Sequence, residues 1–236
     1  MKITVLYGNE RQGSTFHLVR LLKECLSEKL DISYTEFMLP RDLPEFCKGC
    51  FTCFRWGEEK CPHRAWSGPI EKALLEADGI IVSSPTYAME VSGALKNCFD
   101  HLCYQWIPHR PRAAMFSKVG VALSTTAGGG GGSVTRTIRK NLVFMGVPKV
   151  FRYSRAVAAM RWEEVSPKTK KMMERDIRQL AQKMVHQLMR RASIQTGWFT
   201  RLFFGMMKMM ISGYPADHPD RLYWEEQGWL AKQRPF

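Results

Sequence analysis

Four cysteines crowd one short stretch: Cys47-Lys-Gly-Cys50-Phe-Thr-Cys53 and, after seven intervening residues, Cys61-Pro62. Thiolates at that density can wrap one [4Fe-4S] cluster or one tetrahedral zinc ion. Two C-x2-C steps that share Cys50 suit zinc less well, because zinc is usually held by separate pairs. Four free thiols are the third reading. A different chemistry is offered by Gly8-Asn9-Glu10-Arg11-Gln12-Gly13-Ser14-Thr15. This run almost matches a nucleoside-triphosphate loop, but Ser14 stands where that loop needs its lysine, and the G-x-G-x-x-G dinucleotide spacing is also missed. What remains is a set of amides and hydroxyls ahead of a helix, with Arg11 as a counter-charge. Free N–H groups and the helix dipole favour a single phosphate monoester there. The plainer alternative is that Ser14 only caps the helix.

Two further loops belong with the first. Ile80-Ile81-Val82 is a β-branched run suited to a strand covered on both faces, and it breaks off at Ser83-Ser84-Pro85. The residues that follow, Thr86-Tyr87-Ala88-Met89-Glu90, therefore sit at a strand's carboxyl end, where ligands bind in open α/β sheets. They supply a hydroxyl, several amides and a flat ring, which suits a planar heterocycle. Thr126-Ala127-Gly128-Gly129-Gly130-Gly131-Gly132 follows another apolar strand. Ordered glycines in a row imply close backbone approach or positive φ. A floppy linker is a poor reading inside one strand-to-helix unit.

The elements that must position these loops alternate. Strands are predicted at 2–7, 32–38, 79–84, 118–124 and 149–153, and helices at 15–29, 68–77, 91–104, 133–145 and 167–191. This alternation predicts a doubly wound α/β fold, a five-stranded parallel sheet with helices on both faces. The last helix has Ser166 as its cap, Pro167 in its first turn, and Met173, Ile177, Leu180, Met184 and Leu188 on one face. Residues 1–192 then form the main domain and 193–236 a helical C-terminal extension. Cys25, Cys98 and Cys103 fall on helices and read as small core residues.

Residues 136–236 carry 20 Lys+Arg against 8 Asp+Glu, which is nearly all of the net charge of +13. The cations are spread along helices with no zinc-finger or RNP reader motif, so a solvated helix face is expected, not a nucleic-acid partner. Met1-Lys2 leads straight into a strand, with no signal pattern. The expectation is a cytoplasmic protein whose seven cysteines are thiols or metal ligands.

Gly8 to Thr15, the Ser84-Pro85-Thr86-Tyr87 run with Gly93, Leu95, Lys96 and Asp100 downstream, and Thr126 to Gly130 resemble the three flavin loops of the NADPH-dependent FMN reductase family. The resemblance covers roughly residues 1 to 155 and implies a flavodoxin-like fold. It implies that Asn9, Arg11, Ser14 and Thr15 hold the FMN phosphate, that Pro85, Thr86, Tyr87, Ala88 and Met89 border the isoalloxazine and ribityl, and that Thr126, Gly128 and Gly129 face the ring's other side. Asn9-Glu10 departs from the family's usual Ser-Pro, and His101 replaces a common arginine. The cysteine run is similar to that of the iron-sulfur flavoproteins, a branch of this family. That likeness implies that Cys47, Cys50, Cys53 and Cys61 hold one [4Fe-4S] cluster, with Phe46, Phe51, Phe54 and Trp56 placed to shield it. Wider relatives carry similar cysteines as free thiols.

The resemblance therefore implies an FMN-dependent oxidoreductase that takes hydride from NAD(P)H and reduces a small acceptor: a quinone, nitro compound, flavin or metal ion. No side chain need act as a catalytic nucleophile, because the cofactor carries the chemistry. The alternative is a non-enzymatic flavin and iron-sulfur electron carrier serving a protein partner. In Gly197 to Ser212, Arg201, Gly205, Lys208 and Ser212 form a narrow polar stripe and apolar residues cover the rest. Burial of that wide face on the chain's own core or in a homodimer or homotetramer is expected, and contact with a membrane surface is the less favoured alternative.

Overall fold

The fully buried strand β3 (Gly79–Ser83) lies at the centre of a five-stranded sheet in the computed structural model, which describes residues 1–236. Beside it run β1 (Lys2–Tyr7) and β4 (Val119–Thr126), and β2 (Ser33–Met38) and β5 (Lys149–Ala156) form the edges. All pairs are parallel and the order is β2-β1-β3-β4-β5, the doubly wound order expected. The register sets Val5 opposite Ile81 and Ile81 opposite Val121, so β-branched side chains stack across the middle of the sheet.

Helices α1 (Ser14–Ser27) and α6 (Pro167–Met189) cover one face, where Leu18, Leu22, Met173, Ile177 and Met184 pack on Val5, Ile81 and Val121. Helices α3 (Arg64–Glu76), α4 (Gly93–Leu102) and α5 (Gly131–Phe144) cover the other with Leu74, Leu95 and Ile138. The Ser166 hydroxyl accepts from the Thr169 amide at 3.2 Å, and every residue of the apolar face expected on α6 is buried. Helix α3 starts four residues before the predicted Gly68-Pro69 start, because Arg64 reaches both Glu59 and Glu71 and fixes an extra first turn. Strands β4 and β5 run beyond their predicted ends, pairing as far as Thr126 and Ala156. A short helix α2 (Thr52–Trp56) inside the cysteine segment was not predicted.

The extension forms α7 (Trp198–Ser212) and α8 (Pro219–Glu226). Phe204, Ile211, Trp224 and Trp229 make a third core with Ile107 and Phe116. Trp224 is 0% exposed, stacks on Phe204 with ring centroids 4.5 Å apart, and donates from Nε1 to the His109 carbonyl at 2.6 Å. The chain's own core covers only part of the apolar face expected at 197–212. Thr200, Phe204 and Ile211 turn inward, whereas Trp198, Phe199, Leu202, Met206, Met209 and Met210 are exposed.

Two substitutions test this packing. Trp224→Ala removes a buried indole and orphans a carbonyl, so thermal unfolding should report a loss of roughly 3–5 kcal/mol. At Gly8 a Cβ would lie 2.9 Å from both the Ser83 carbonyl oxygen and the Ser92 hydroxyl. Gly8→Ala should therefore cost roughly 1–3 kcal/mol in the same measurement, through overpacking at a backbone that has nowhere to move.

Candidate functional site

At the carboxyl edge of the sheet the three loops enclose a cavity of about 210 Å³. Its wall includes Asn9, Arg11, Ser14, Thr15, Pro85, Thr86, Tyr87 and Thr126 from the sequence-predicted set, and no acidic residue. Gly13, not Ser14, is the residue that precedes α1; it lacks a side chain and leaves the first-turn amides without a capping partner. Ser14 is the first helical residue and is buried, so its hydroxyl is not spent on a cap. Such an end presents free N–H donors and the positive end of the dipole. The Thr15 and Thr125 hydroxyls meet at 2.6 Å and tie the first loop to β4. Arg11 donates to the Met160 carbonyl across the mouth.

The second loop is a two-residue hairpin turn. Tyr87 and Glu90 exchange backbone hydrogen bonds at 2.9 Å, with Ala88 at φ 48° and Met89 at φ 67° between them. Two left-handed residues in succession match a type I′ turn, for which glycine or asparagine is the ordinary choice. Strain of this kind persists only where its surroundings enforce it. Here Asn9 Nδ2 donates to the Tyr87 hydroxyl at 3.0 Å, and the Glu90 carboxylate accepts from the Val91 amide at 2.9 Å and the Thr137 hydroxyl at 3.0 Å. In the third loop glycine is required at Gly130, with φ 87° and a would-be Cβ 2.7 Å from Thr86 Cγ2. Tyr87 is 48% exposed at the rim.

Four residues of the predicted set, Ala88, Met89, Gly128 and Gly129, lie in these loops but do not line the cavity. The sequence reading missed Gly13, Thr125 and Ala127, and also Val157, Ala159 and Met160, which line the cavity beside Arg11. Thr125 was accessible from its place beside Thr126 at the end of β4. The 157–160 segment carries no motif, and only tertiary folding brings it to Arg11.

The cysteines gather at a second cavity of about 330 Å³, lined by Cys47, Cys50, Cys53, Cys61, Phe51, Phe54, His63, Asp100, His101 and Cys103. All are free thiols, and no three ligating side chains converge in metal-binding geometry. Cys103, read from sequence as a core residue, faces this cavity, while Cys25 and Cys98 are buried as expected. Burial pushes the Cys103 thiol up to about 12, and burial with the neighbouring Cys61 raises Cys53. Cys50 alone is lowered, by hydrogen bonds from the Thr52 hydroxyl and amide. Phe54 lines the cavity as a shield would and Phe51 lines it while remaining 60% exposed, but Phe46 and Trp56 point to solvent and do not line it. His63 Nδ1 lies 3.0 Å from His101 Nε2, and His101 Nδ1 lies 3.0 Å from the Asn97 carbonyl. A carbonyl only accepts, so the proton sits on His101 Nδ1 and His63 donates to Nε2; burial holds the His101 pKa below its ordinary value.

An iron-sulfur flavoprotein of Methanocaldococcus jannaschii is 29% identical over 133 residues, 56% of this chain and 65% of its own length. A second from the same organism is 35% identical over 137 residues, 57% of this chain and 67% of its own. An FMN-dependent NADH-azoreductase from Bacillus anthracis superimposes with a TM-score of 0.60 at 10% identity, over 78% of this chain and 100% of its own, and so shares the fold. The profile of the NADPH-dependent FMN reductases matches residues 1–161, which carry all three loops and the cysteine segment, and the chain belongs to that family.

Proposed function

We propose that the chain is an FMN-dependent oxidoreductase that oxidises NAD(P)H and reduces a small acceptor such as a quinone, nitro compound, flavin or metal ion. One observation carries the reading: the uncapped start of α1, the Ser14 and Thr15 hydroxyls and the flat ring of Tyr87 share one cavity with no acidic wall residue. A phosphate monoester fits there, and a triphosphate lacks its lysine. Bound FMN supplies hydride acceptance and onward electron transfer. The chain's own residues bind and orient. The amides of α1 and the Ser14 hydroxyl hold the phosphate, Thr15 braces that end against Thr125, and Asn9 fixes the Tyr87 ring at the rim. On this reading Ala88, Met89, Gly128 and Gly129, which lie in the same loops but outside the cavity wall, border the ring. The membership in the family and the relatives' printed activities support it.

The cysteine cavity supports a second group. Four free thiols of one segment on one wall suit a [4Fe-4S] cluster, with Cys47, Cys50, Cys53 and Cys61 as the ligands, and the two relatives carry that name. Assembly would have to draw the thiols together, since no three yet converge.

Three measurements test these readings. Ser14→Ala with Thr15→Ala should weaken FMN binding about tenfold or more while costing only about 1–2 kcal/mol of stability, since each hydroxyl bond contributes about 1 kcal/mol and more beside a charge. The FMN-loaded protein should oxidise NADH or NADPH when a small quinone is supplied. Flavin bound in full with neither nucleotide consumed would leave the electron-carrier alternative in its place. After anaerobic purification, iron and sulfide should be present in cluster stoichiometry; zinc alone would assign the thiols to a structural ion, and trace metal with full FMN would assign them as free thiols.

A further inference from the structure

Helix α7 has two apolar faces and only one of them is covered. Phe204 and Ile211 close the third core, whereas Trp198, Phe199, Leu202, Met206, Met209 and Met210 point away from it. Their spacing places them on one continuous stripe of the helix. Trp198 is 76% exposed and Met209 75%, at opposite ends of that stripe. A patch of this extent on a folded protein marks a contact.

The surroundings say what kind. Phe203, one turn from Phe199, packs on Phe144 at the end of α5 with centroids 5.4 Å apart, and exposed Lys140 precedes Phe144 by one turn. Lys149 and Arg190 line one shallow cavity with Ile194 and Gln195, immediately before α7. Arg201 lies within the helix itself, on the side of the third core, with its guanidinium over the Phe236 ring at 5.4 Å. None of these cations is neutralised by a carboxylate. Arg190 lies against His186 at 3.4 Å, Arg201 donates to the Thr196 carbonyl at 2.9 Å, and Lys149 sits over the Phe151 ring at 5.4 Å. An apolar stripe with tryptophan at one end and free cations around it is complementary to an anionic lipid surface. A second copy of the chain fits less well, because each brings a net charge of +13 and the same cationic rim to the contact. At Trp198–Ser212 the helix is too short to span a bilayer, and no helix of the chain is long and apolar enough to do so.

We propose that the outward face of α7 lies flat in the interface of an anionic membrane and tethers the protein there. Phe116 and Phe144, which hold α7, flank the strand-starting edge of β4 and β5. The three-loop cavity is at the opposite edge of the sheet.

Flotation of the full-length protein with vesicles of equal parts phosphatidylglycerol and phosphatidylcholine tests the proposal. Co-flotation at low ionic strength is expected, with little on pure phosphatidylcholine and a marked loss at high salt. Leu202→Glu with Met209→Glu should weaken it about tenfold or more while leaving the melting temperature near that of the parent, because both positions are already exposed. Lys149→Glu with Arg190→Glu should weaken binding to the anionic vesicles as well. Absence of flotation on anionic vesicles, or flotation that the α7 substitutions leave unchanged, overturns the proposal. So does light scattering that shows a non-floating dimer which the α7 substitutions split into monomers, since a second copy would then cover the face.

Discussion

The close approach of two loops at Gly8 is the constraint on which the site depends. The Gly8 amide donates to the Ser83 carbonyl at 2.7 Å, the Ser92 hydroxyl donates to the Gly8 carbonyl, and the Ser92 amide donates to the Ser84 hydroxyl at 3.0 Å. These bonds fasten the exit of β1 to the exit of β3, and Ser92 at once caps α4 by accepting from the Leu95 amide. With the two exits locked, the start of α1 and the Tyr87 turn must face the same space. The strained Ala88-Met89 turn is then held by Asn9 on one side and Glu90 on the other.

A second constraint joins the cysteine segment to the extension. Buried Arg110 donates to Asp220 at 2.9 Å and to the Cys53 carbonyl, and lies 3.6 Å from Glu58. Arg112 pairs with Glu58 and with buried Glu71 at 3.1 Å, and Arg64 pairs with Glu71 from the other side. A buried ion network contributes little net stability over apolar residues of the same size, but losing one member strands a charge. Its consequence is positional. Through Arg110 the network ties Asp220 of α8 to the backbone of the thiol segment, which links the extension to a site that contains none of its own residues.

Much of this was legible in the sequence and some was not, for physical reasons. Strands and core helices were legible because burial on both faces leaves unbroken β-branched runs and 3.6-residue periodicity, as in Ile80-Ile81-Val82 and the α6 stripe. Loop placement followed from the rule that strand ends carry ligands. The fifth thiol, Cys103, was read as core because helical spacing says which face a residue occupies and not what lies opposite. Val157, Ala159 and Met160 reach the cavity only through the turn after β5, and no local pattern encodes that. In α7 the period showed a wide apolar face, but the share covered by Trp224 and Phe116 depends on contacts far apart in the chain.

The most direct test of the central claim, that the three-loop cavity binds FMN through its phosphate at the start of α1, is a paired titration of flavin-free protein with FMN and with riboflavin. The two ligands share the ring and differ in the phosphate alone. FMN should saturate one site per chain and bind at least about tenfold tighter, since charge-assisted hydrogen bonds to a phosphate contribute about 1.5–3 kcal/mol each. Equal affinity for the two, or no binding of either, would contradict the account.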